Sequence, residues 1–284
     1  MKKIYVHCYG GFGNRYNVLI SGLFLAKTLN LHPVVIWKEN NWCGAGFHDL
    51  FDVDQEVYED FNHLTFFNEH ETFNLIHENQ FGQKLSFISP FSLNSIEVVR
   101  NYLTSHDEDI FFYTNLIPKW VDLNVVYENI IPNLEFVPDI CEEIDKFRGT
   151  LPENYYGIHI RKTDFLNEMN DDSVYEFVKS NVDKTFFICS DDESTEKRFT
   201  ELPNAFSYPK TSYVEKLVDG TWNDRIIDST GNAHNFNVNR PKDSVKQAIV
   251  DLLLLSHSNL VNTNMRSTFL QIALHFQNSR RITK

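Results

Sequence analysis

The sequence predicts an α/β fold organised as two domains. Three observations support this prediction. Two of them concern the sequence pattern: the chain opens with a strand, a glycine-rich loop, a helix and a second strand, and a similar alternation returns after residue 155. The third is its length, because 284 residues are enough for two compact units, or one large one, at roughly 150 residues per domain. Alternating strands and helices are typical of parallel sheets that carry helices on their faces.

The opening segment has the pattern of a β-α-β unit. Residues 4–9 resemble a strand, residues 17–29 place apolar side chains at helical spacing, and a second strand starts at Pro33. A glycine-rich loop between strand and helix lets backbone N–H groups approach an anion at the positive end of the helix. The loop is therefore a candidate phosphate site. The alternative is a tight turn that needs positive φ at Gly10 and Gly11.

The same loop departs from the dinucleotide-binding fingerprint. That fingerprint needs a third glycine where this chain has Tyr16, although Glu39 could imitate the acid that binds a ribose. A nicotinamide-dependent enzyme is therefore disfavoured.

Two acidic pairs in the first half of the chain could bind a divalent cation. Asp52 and Asp54 flank one residue, as do Asp107 and Asp109. Such a pair can hold a metal ion that bridges a nucleotide diphosphate. Neither pair follows the long apolar strand that a metal-dependent sugar-transfer site requires, so solvated loop acids are the favoured interpretation.

The second domain is predicted to start near residue 151. A helix over residues 139–147 leads through Gly149 to Pro152, and this loop gives domains of 1–150 and 151–284. The next apolar alternation predicts a strand that ends at Ile160.

Charged residues follow two strands of this second domain. Arg161 comes after the first strand, and Asp191 and Asp192 come after a buried strand at 185–189. Ligands of open α/β sheets bind beyond the carboxyl ends of the strands, so these side chains would face one cleft. Two structural alternatives remain: Arg161 pairs locally with Asp164, or one of the two aspartates caps the following helix.

The last third of the chain adds a loop and two helices. Residues 219–240 predict a long loop, which is either a lid or a simple surface excursion. Residues 244–256 predict an amphipathic helix with Asp251 on another flank. A strand at 259–263 precedes a final helix, for which Ser267 is an N-cap candidate with N–H groups that could hold a phosphate.

Composition excludes several classes of protein. A formal charge of −13 argues against a general nucleic-acid binder. Four widely spaced cysteines give neither a zinc nor a redox motif, so we expect reduced thiols and a cytoplasmic setting. No apolar run is long enough to span a membrane.

Four short motifs occur in a recognisable order. They are residues 10–15, residues 159–164, Asp251 with Leu255 and Ser256, and residues 266–269. Together they resemble the motifs of the α-fucosyltransferase superfamily, which includes α1,2-, α1,6- and protein O-fucosyltransferases and the rhizobial nodulation enzymes. The resemblance covers the first 30 residues and about 155–275, and leaves the middle unmatched.

The resemblance implies a fold, a reaction and two substrates. The fold would be GT-B-like, with two Rossmann-like domains facing a cleft, the first on the acceptor side and the second binding the nucleotide sugar. The reaction would be an inverting transfer of L-fucose from GDP-fucose to a hydroxyl of an oligosaccharide or polysaccharide. It would need no metal ion and no cofactor besides the donor substrate.

The resemblance also implies roles for individual residues. Arg161 would contact the β-phosphate and neutralise charge on the departing GDP. His159 would help to hold the nucleotide, Asp251 would accept from the guanine edge, and Ser267 would bind phosphate. From the first domain, Asn14 would close on the diphosphate or the sugar. The full set of donor-binding candidates is Gly11, Gly13, Asn14, Arg15, His159, Lys162, Asp191, Asp192, Asp251, Arg266, Ser267 and Thr268.

Two departures from the family pattern leave the chemistry open. Lys162 stands where the α1,6 enzymes have a second arginine. The lysine keeps the positive charge but lacks the bidentate hydrogen-bonding fork of arginine. Their proposed base falls on Met169, so Glu168 and Asp164 are the candidate bases here. A non-catalytic GDP-sugar-binding protein or lectin-like module is the alternative function, together with a metal-dependent transferase.

Overall fold

A computed structural model describes most of the chain. The described residues are 1–59, 76–78, 84–88, 95–105, 107, 109–114, 116–163, 171–261 and 267–282, with only the backbone described at 76–78, 84–88 and 104. The chain forms two compact units. Unit 1 comprises residues 1–39, 46–135 and 278–284, and unit 2 comprises residues 40–45 and 136–277.

Unit 1 is built on a six-stranded sheet. Its strands are β1 (Lys3–Cys8), β2 (His32–Trp37), β3 (Val57–Tyr58), β4 (Ile76–Glu78), β5 (Lys84–Ile88) and β6 (Asp109–Phe112). The spatial order is β3-β2-β1-β6-β5-β4, and every neighbouring pair is parallel except β4 with β5. The helices of this part of the chain are α1 (Phe12–Leu29), α2 (Ile96–Thr104) and α3 (Leu123–Asn129).

Helix α1 lies very close to strand β1. A Cβ on Gly22 would come within 2.5 Å of both methyl carbons of Val6, so a glycine is needed at this approach. The helix starts at Phe12, five residues earlier than predicted, and follows a turn in which Gly10 has φ +85°. Gly11 is extended, with φ −71°, so the predicted positive φ is confirmed for Gly10 and wrong for Gly11.

Unit 2 is built on a smaller, fully parallel sheet. Its strands are β7 (Tyr156–Ile160), β8 (Phe186–Ser190), β9 (Ala205–Phe206) and β12 (Asn259–Leu260), in the order β12-β7-β8-β9. Two further strands, β10 (Ile226–Ile227) and β11 (Ala233–His234), form an antiparallel pair. The helices of unit 2 are α4 (Pro138–Arg148), α5 (Asp171–Ser180), α6 (Glu193–Thr200) and α7 (Lys242–His257). Helix α8 (Thr268–Ile282) begins in unit 2, and its residues from 278 onward belong to unit 1.

Close packing of β7 on the end of α7 fixes the strand that leads to Arg161. A Cβ on Gly157 would lie 2.1 Å from Ser258 Oγ and 2.9 Å from Leu255 Cδ2. The hydroxyl of Tyr155 donates to the Leu254 carbonyl at 2.7 Å. Glycine at position 157 therefore lets the strand and the helix approach within a distance that no larger residue allows.

The predicted α/β class is confirmed, and several details differ. The helices predicted at 139–147 and 244–256 are present as α4 and α7. Helix α4 packs on α7 and belongs to unit 2, so the two structural units divide near residue 136, while the domain boundary at residue 150 stays a prediction. The predicted long loop at 219–240 contains the β10–β11 pair.

Candidate functional site

Parallel pairing of β7 and β8 brings two charged segments to one edge of the sheet. Ile160 pairs with Ser190, so the residues after the two strands start side by side. Asp191 Oδ1 accepts from the backbone N–H of Lys162 at 2.7 Å, and its Oδ2 accepts from the backbone N–H of Thr163 at 3.2 Å and from the Thr163 hydroxyl. Asp191 therefore anchors the segment that carries Arg161.

Asp192 has the structural role that the sequence left open. It is the N-cap of α6, and its Oδ2 accepts from the Thr195 N–H at 2.8 Å and from the hydroxyls of Thr195 and Ser194. Burial acts to raise the pKa of Asp192, but the hydrogen bonds from Ser194 and Thr195 outweigh it and hold the pKa below its usual value. The helix-capping alternative is confirmed for this residue.

His159 is a buried neutral imidazole. Its ring stacks on Phe269 with centroids 4.8 Å apart and planes 25° apart, and 7% of the residue is exposed. Burial lowers the pKa of His159 to about 3, with the nearby cations Arg161 and Lys210 acting in the same direction. The imidazole therefore offers one donor and one acceptor at neutral pH, and no positive charge.

Helix α8 begins beside this stacked pair. Ser267 Oγ accepts a long hydrogen bond, 3.5 Å, from the Leu270 N–H, and the Ser267 carbonyl accepts from Gln271 at 3.1 Å. Ser267 is thus the residue before the first helical residue, Thr268, as predicted. Because Phe269 lies in the same helical turn as Thr268, the α8 N-terminus and the end of β7 are neighbours.

Lys162 and Arg161 lie in different environments. The Lys162 ammonium pairs with the Asp171 carboxylate at the start of α5. Arg161 is partly exposed just beyond β7. The candidate bases Asp164 and Glu168, the neighbouring Met169, the proposed Arg161–Asp164 pair and the candidate phosphate ligand Arg266 all lie outside the described residues.

Asp251 belongs to a buried ionic cluster that the sequence did not predict. Its Oδ2 accepts from Lys210 Nζ at 2.5 Å, and the same ammonium donates to Glu196 Oε1 at 2.5 Å and to the Ser190 carbonyl at 2.7 Å. The three ionic side chains are 3–4% exposed. Lys210 lies in the irregular segment after β9, where no periodicity or motif distinguishes it from a surface lysine.

The loop residues of unit 1 form the start of α1. Gly11 is the N-cap residue, and Gly13, Asn14 and Arg15 lie in the first turn of the helix. Arg15 is fully buried: its Nε donates to the Gly10 carbonyl at 2.7 Å, and its guanidinium lies 4.9 Å from the centroid of the Trp37 ring. These contacts are with the protein interior, so Arg15 supports the loop from inside unit 1.

The acidic pairs do not form a metal-binding cluster in the part of the chain that the structure describes. Asp52, Asp54 and Asp107 are exposed, and Asp109 Oδ1 accepts from the Lys3 N–H at 2.7 Å. No group of three or more His, Cys, Asp or Glu residues suited to a metal ion is present among the described residues. Within the same ranges, no helix is both long enough and apolar enough to cross a membrane.

The two units, each with a mainly or fully parallel sheet, define an α/β protein, and its sheets are consistent with the GT-B-like folds of the solved fucosyltransferases NodZ and POFUT1. No protein-family model and no curated protein sequence matches the chain. Among solved structures, fucosyltransferase NodZ from Bradyrhizobium is similar, with a TM-score of 0.57 and 13% identity over 96% of this chain and 92% of that one. The chain thus has the fold of the fucosyltransferase superfamily.

Two further solved structures share this fold. POFUT1 in complex with GDP-fucose is similar with a TM-score of 0.55 and 13% identity, covering 98% of this chain and 95% of that one. A mutant of Arabidopsis thaliana FUT1 in complex with GDP is similar with a TM-score of 0.57 and 12% identity, covering 97% and 68%. At these identities the likeness concerns the fold.

Proposed function

We propose that this protein is a metal-independent, inverting fucosyltransferase that transfers L-fucose from GDP-fucose to a hydroxyl of a glycan acceptor. The observation that carries the proposal is the placement of Arg161. It follows β7 at the carboxyl edge of the unit 2 sheet, on a segment anchored by Asp191 and adjacent to the N-terminus of α8. The GDP and GDP-fucose complexes of similar fold support the choice of donor.

The proposed chemistry is a single displacement at the anomeric carbon of fucose. The acceptor oxygen forms a bond to that carbon, the bond to the β-phosphate oxygen breaks, and GDP leaves with the electron pair. The Arg161 guanidinium and the N–H groups at the start of α8 would offset the charge that develops on GDP. The proton of the acceptor hydroxyl would pass to a carboxylate, for which Glu168 and Asp164 are the candidates.

A GDP-release assay with GDP-fucose and a panel of glycans tests this proposal. Arg161→Ala should lower turnover by about 100-fold or more, the usual effect of removing one donor to a developing charge. The matched control is Arg148→Ala, since Arg148 is exposed in the last turn of α4, and it should leave turnover unchanged. Near-normal turnover of folded Arg161→Ala would remove the assigned role.

Two measurements separate the alternative functions: the rate in the presence of EDTA, and GDP binding compared with GDP release. The proposed enzyme keeps its full rate in EDTA, whereas loss of activity would favour a metal-dependent transferase that uses Asp52 or Asp107. Saturable GDP binding without GDP release on any acceptor would indicate a non-catalytic GDP-sugar-binding module. A thermal-shift series with GDP, UDP and ADP identifies which nucleotide base the protein binds, because a ligand of the folded state raises the melting temperature.

A further inference from the structure

The cluster formed by Lys210, Glu196 and Asp251, here called the Lys210 cluster, has one unsatisfied position. The Lys210 ammonium has three donors, and three acceptors receive them: the Ser190 carbonyl, Glu196 Oε1 and Asp251 Oδ2. Glu196 is also satisfied, because Oε1 accepts from the Ser190 N–H at 2.7 Å and Oε2 accepts from the Tyr213 hydroxyl at 2.8 Å.

Asp251 Oδ1 is the exception. Asp251 is 2% exposed, and its Oδ1 is buried without a hydrogen-bond partner among the described residues. A buried carboxylate oxygen that makes no hydrogen bond typically costs 1–3 kcal/mol or more, so its presence in a folded protein calls for an explanation. An N–H donor supplied by a ligand would satisfy it.

The location of the cluster fits a nucleotide base. Lys210 binds the carbonyl of Ser190, the last residue of β8, which places the cluster at the same end of the sheet as Arg161. The Lys210 charge also acts on His159, whose ring stacks beside the start of α8. A carboxylate oxygen accepts from the ring N–H and the amino group of guanine, and it repels the bare ring nitrogen that adenine presents at the corresponding position.

We propose that Lys210 and Glu196 are positioning residues for nucleotide recognition. Glu196 orients Lys210, and Lys210 fixes Asp251 Oδ2, so that Asp251 Oδ1 can accept a hydrogen bond from an N–H group of the nucleotide base. This inference rests on the proposed function, in which Asp251 accepts from guanine, and adds the residues that hold it. Lys210 and Glu196 act through Asp251 and do not touch the nucleotide.

The charges around Asp251 predict how the site responds to pH. The titratable groups that face the cluster from the surrounding elements are Glu143 of α4, His159 of β7, Cys189 of β8, Glu196 of α6, and Tyr208, Lys210 and Tyr213 of the segment after β9. Burial and the negative charge of Glu196 raise the pKa of Asp251 to about 7, against the opposing effect of Lys210. Asp251 therefore loses its charge as the pH falls through neutrality.

Glu196→Gln gives a decisive test, because it removes a charge and keeps the hydrogen-bonding shape. Without the Glu196 charge, the pKa of Asp251 should fall and the ionised form should persist to lower pH. Calorimetric titration of GDP between pH 5.5 and 8.5 should show affinity that weakens below pH 7 in the wild type. In Glu196→Gln this midpoint should shift down by about one pH unit, which makes GDP binding at pH 6 several-fold tighter.

Lys210→Met tests the fixed orientation of Asp251. The variant should bind GDP at least about tenfold more weakly and lose most of its preference for GDP over ADP, because Asp251 Oδ2 loses its donor. Lys210→Arg should recover part of both quantities. Lys216→Met is the matched control, since Lys216 is an exposed lysine in the same segment whose ammonium lies over the Trp222 ring.

The outcomes separate the inference from the function. A wild-type protein that binds no GDP overturns both. A protein that binds GDP tightly, with an unchanged pH midpoint in Glu196→Gln, overturns the positioning role alone. A purely structural cluster predicts equal or weaker binding at every pH, so a gain of affinity at pH 6 supports the inference. If Lys210→Met does not fold, as its circular dichroism would show, the Glu196→Gln titration decides.

Discussion

Two adjacent carboxylates, Asp191 and Asp192, do different work at the end of β8. Asp191 uses both carboxylate oxygens, one to accept from the backbone N–H of Lys162 and the other to accept from that of Thr163. Asp192 uses one oxygen to cap α6. The first task needs two acceptors. The second needs only one, and an amide oxygen can supply it.

Asparagine substitutions should separate these two roles. Asp191→Asn replaces one acceptor with an NH₂ group that faces a backbone N–H, so we expect it to cost about 1–3 kcal/mol of unfolding free energy and to reduce turnover. Asp192→Asn should change the free energy by only a few tenths of a kcal/mol, because asparagine caps helices about as well as aspartate. Urea denaturation of both variants provides the measurement, and equal losses would contradict the division of roles.

At the residue scale, the sequence indicates candidate site residues better than it indicates contacts between residues. Arg161 and Asp191 are candidates because each follows an apolar run, and the parallel register of β7 and β8 starts their two segments side by side. His159 is a candidate only through the resemblance to the fucosyltransferase motifs. Lys210 could not be recognised, since its burial depends on a segment without periodic structure that folds over β8. Local patterns carry no signal for a contact made between distant parts of the chain.

At the scale of elements, the approach of β7 to the end of α7 supports the candidate site. The strand delivers Arg161 to the sheet edge, and α7 carries Asp251. Their spacing depends on Gly157, against which Ser258 and Leu255 pack directly.

Gly157→Ala should therefore destabilise the protein substantially. The added methyl group overlaps Ser258 Oγ, and overpacking of this kind costs typically 1–3 kcal/mol. Gly149→Ala is the matched control: its added Cβ would lie 3.4 Å from the nearest backbone oxygen, that of Asp145, and its φ is −61°. That variant should be neutral or stabilised by about 0.4–1 kcal/mol. Indistinguishable midpoints in chemical denaturation would show that β7 can move away from α7.

Element prediction succeeded where periodicity was strong and failed where glycines or brief strands intervened. The spacing of apolar residues identifies α4 and α7 with nearly correct ends. The start of α1 was missed because Gly13 and Asn14 have low helix propensity, although the contact of Gly22 with Val6 favours a helix there. The β10–β11 pair was missed because two-residue strands give no alternation to detect.

At the scale of the whole molecule, each unit has its own sheet and its own buried core. In unit 2 the core cluster includes Ile158, Ile160, Val178, Phe186, Ile188, Phe199 and Ala205. In unit 1 a separate cluster includes Tyr5, Val34, Ile36 and Phe111. Separate cores allow a ligand to stabilise one unit more than the other.

Hydrogen exchange with and without GDP should reveal this difference. At GDP concentrations of about 100 times Kd, binding adds about 2.7 kcal/mol to the stability of the unit that holds the base. Amides of β7, β8 and α7 should then exchange much more slowly, and those of β1 and β2 should change less. ADP at the same concentration serves as the control. Protection confined to unit 1 would place the base site elsewhere.

The cysteines offer a way to time the opening of each unit. Cys141 is exposed, whereas Cys8 lies in the central strand of the unit 1 sheet and Cys189 lies in β8 of unit 2. Burial holds the pKa of Cys189 well above its usual value, so this thiol reacts with an alkylating reagent only after β8 separates from its neighbours. Mass-spectrometric mapping of the alkylation of Cys8 and Cys189 over time would therefore follow the opening of the two sheets in one unmodified protein, with the exposed Cys141 as the fast-reacting reference.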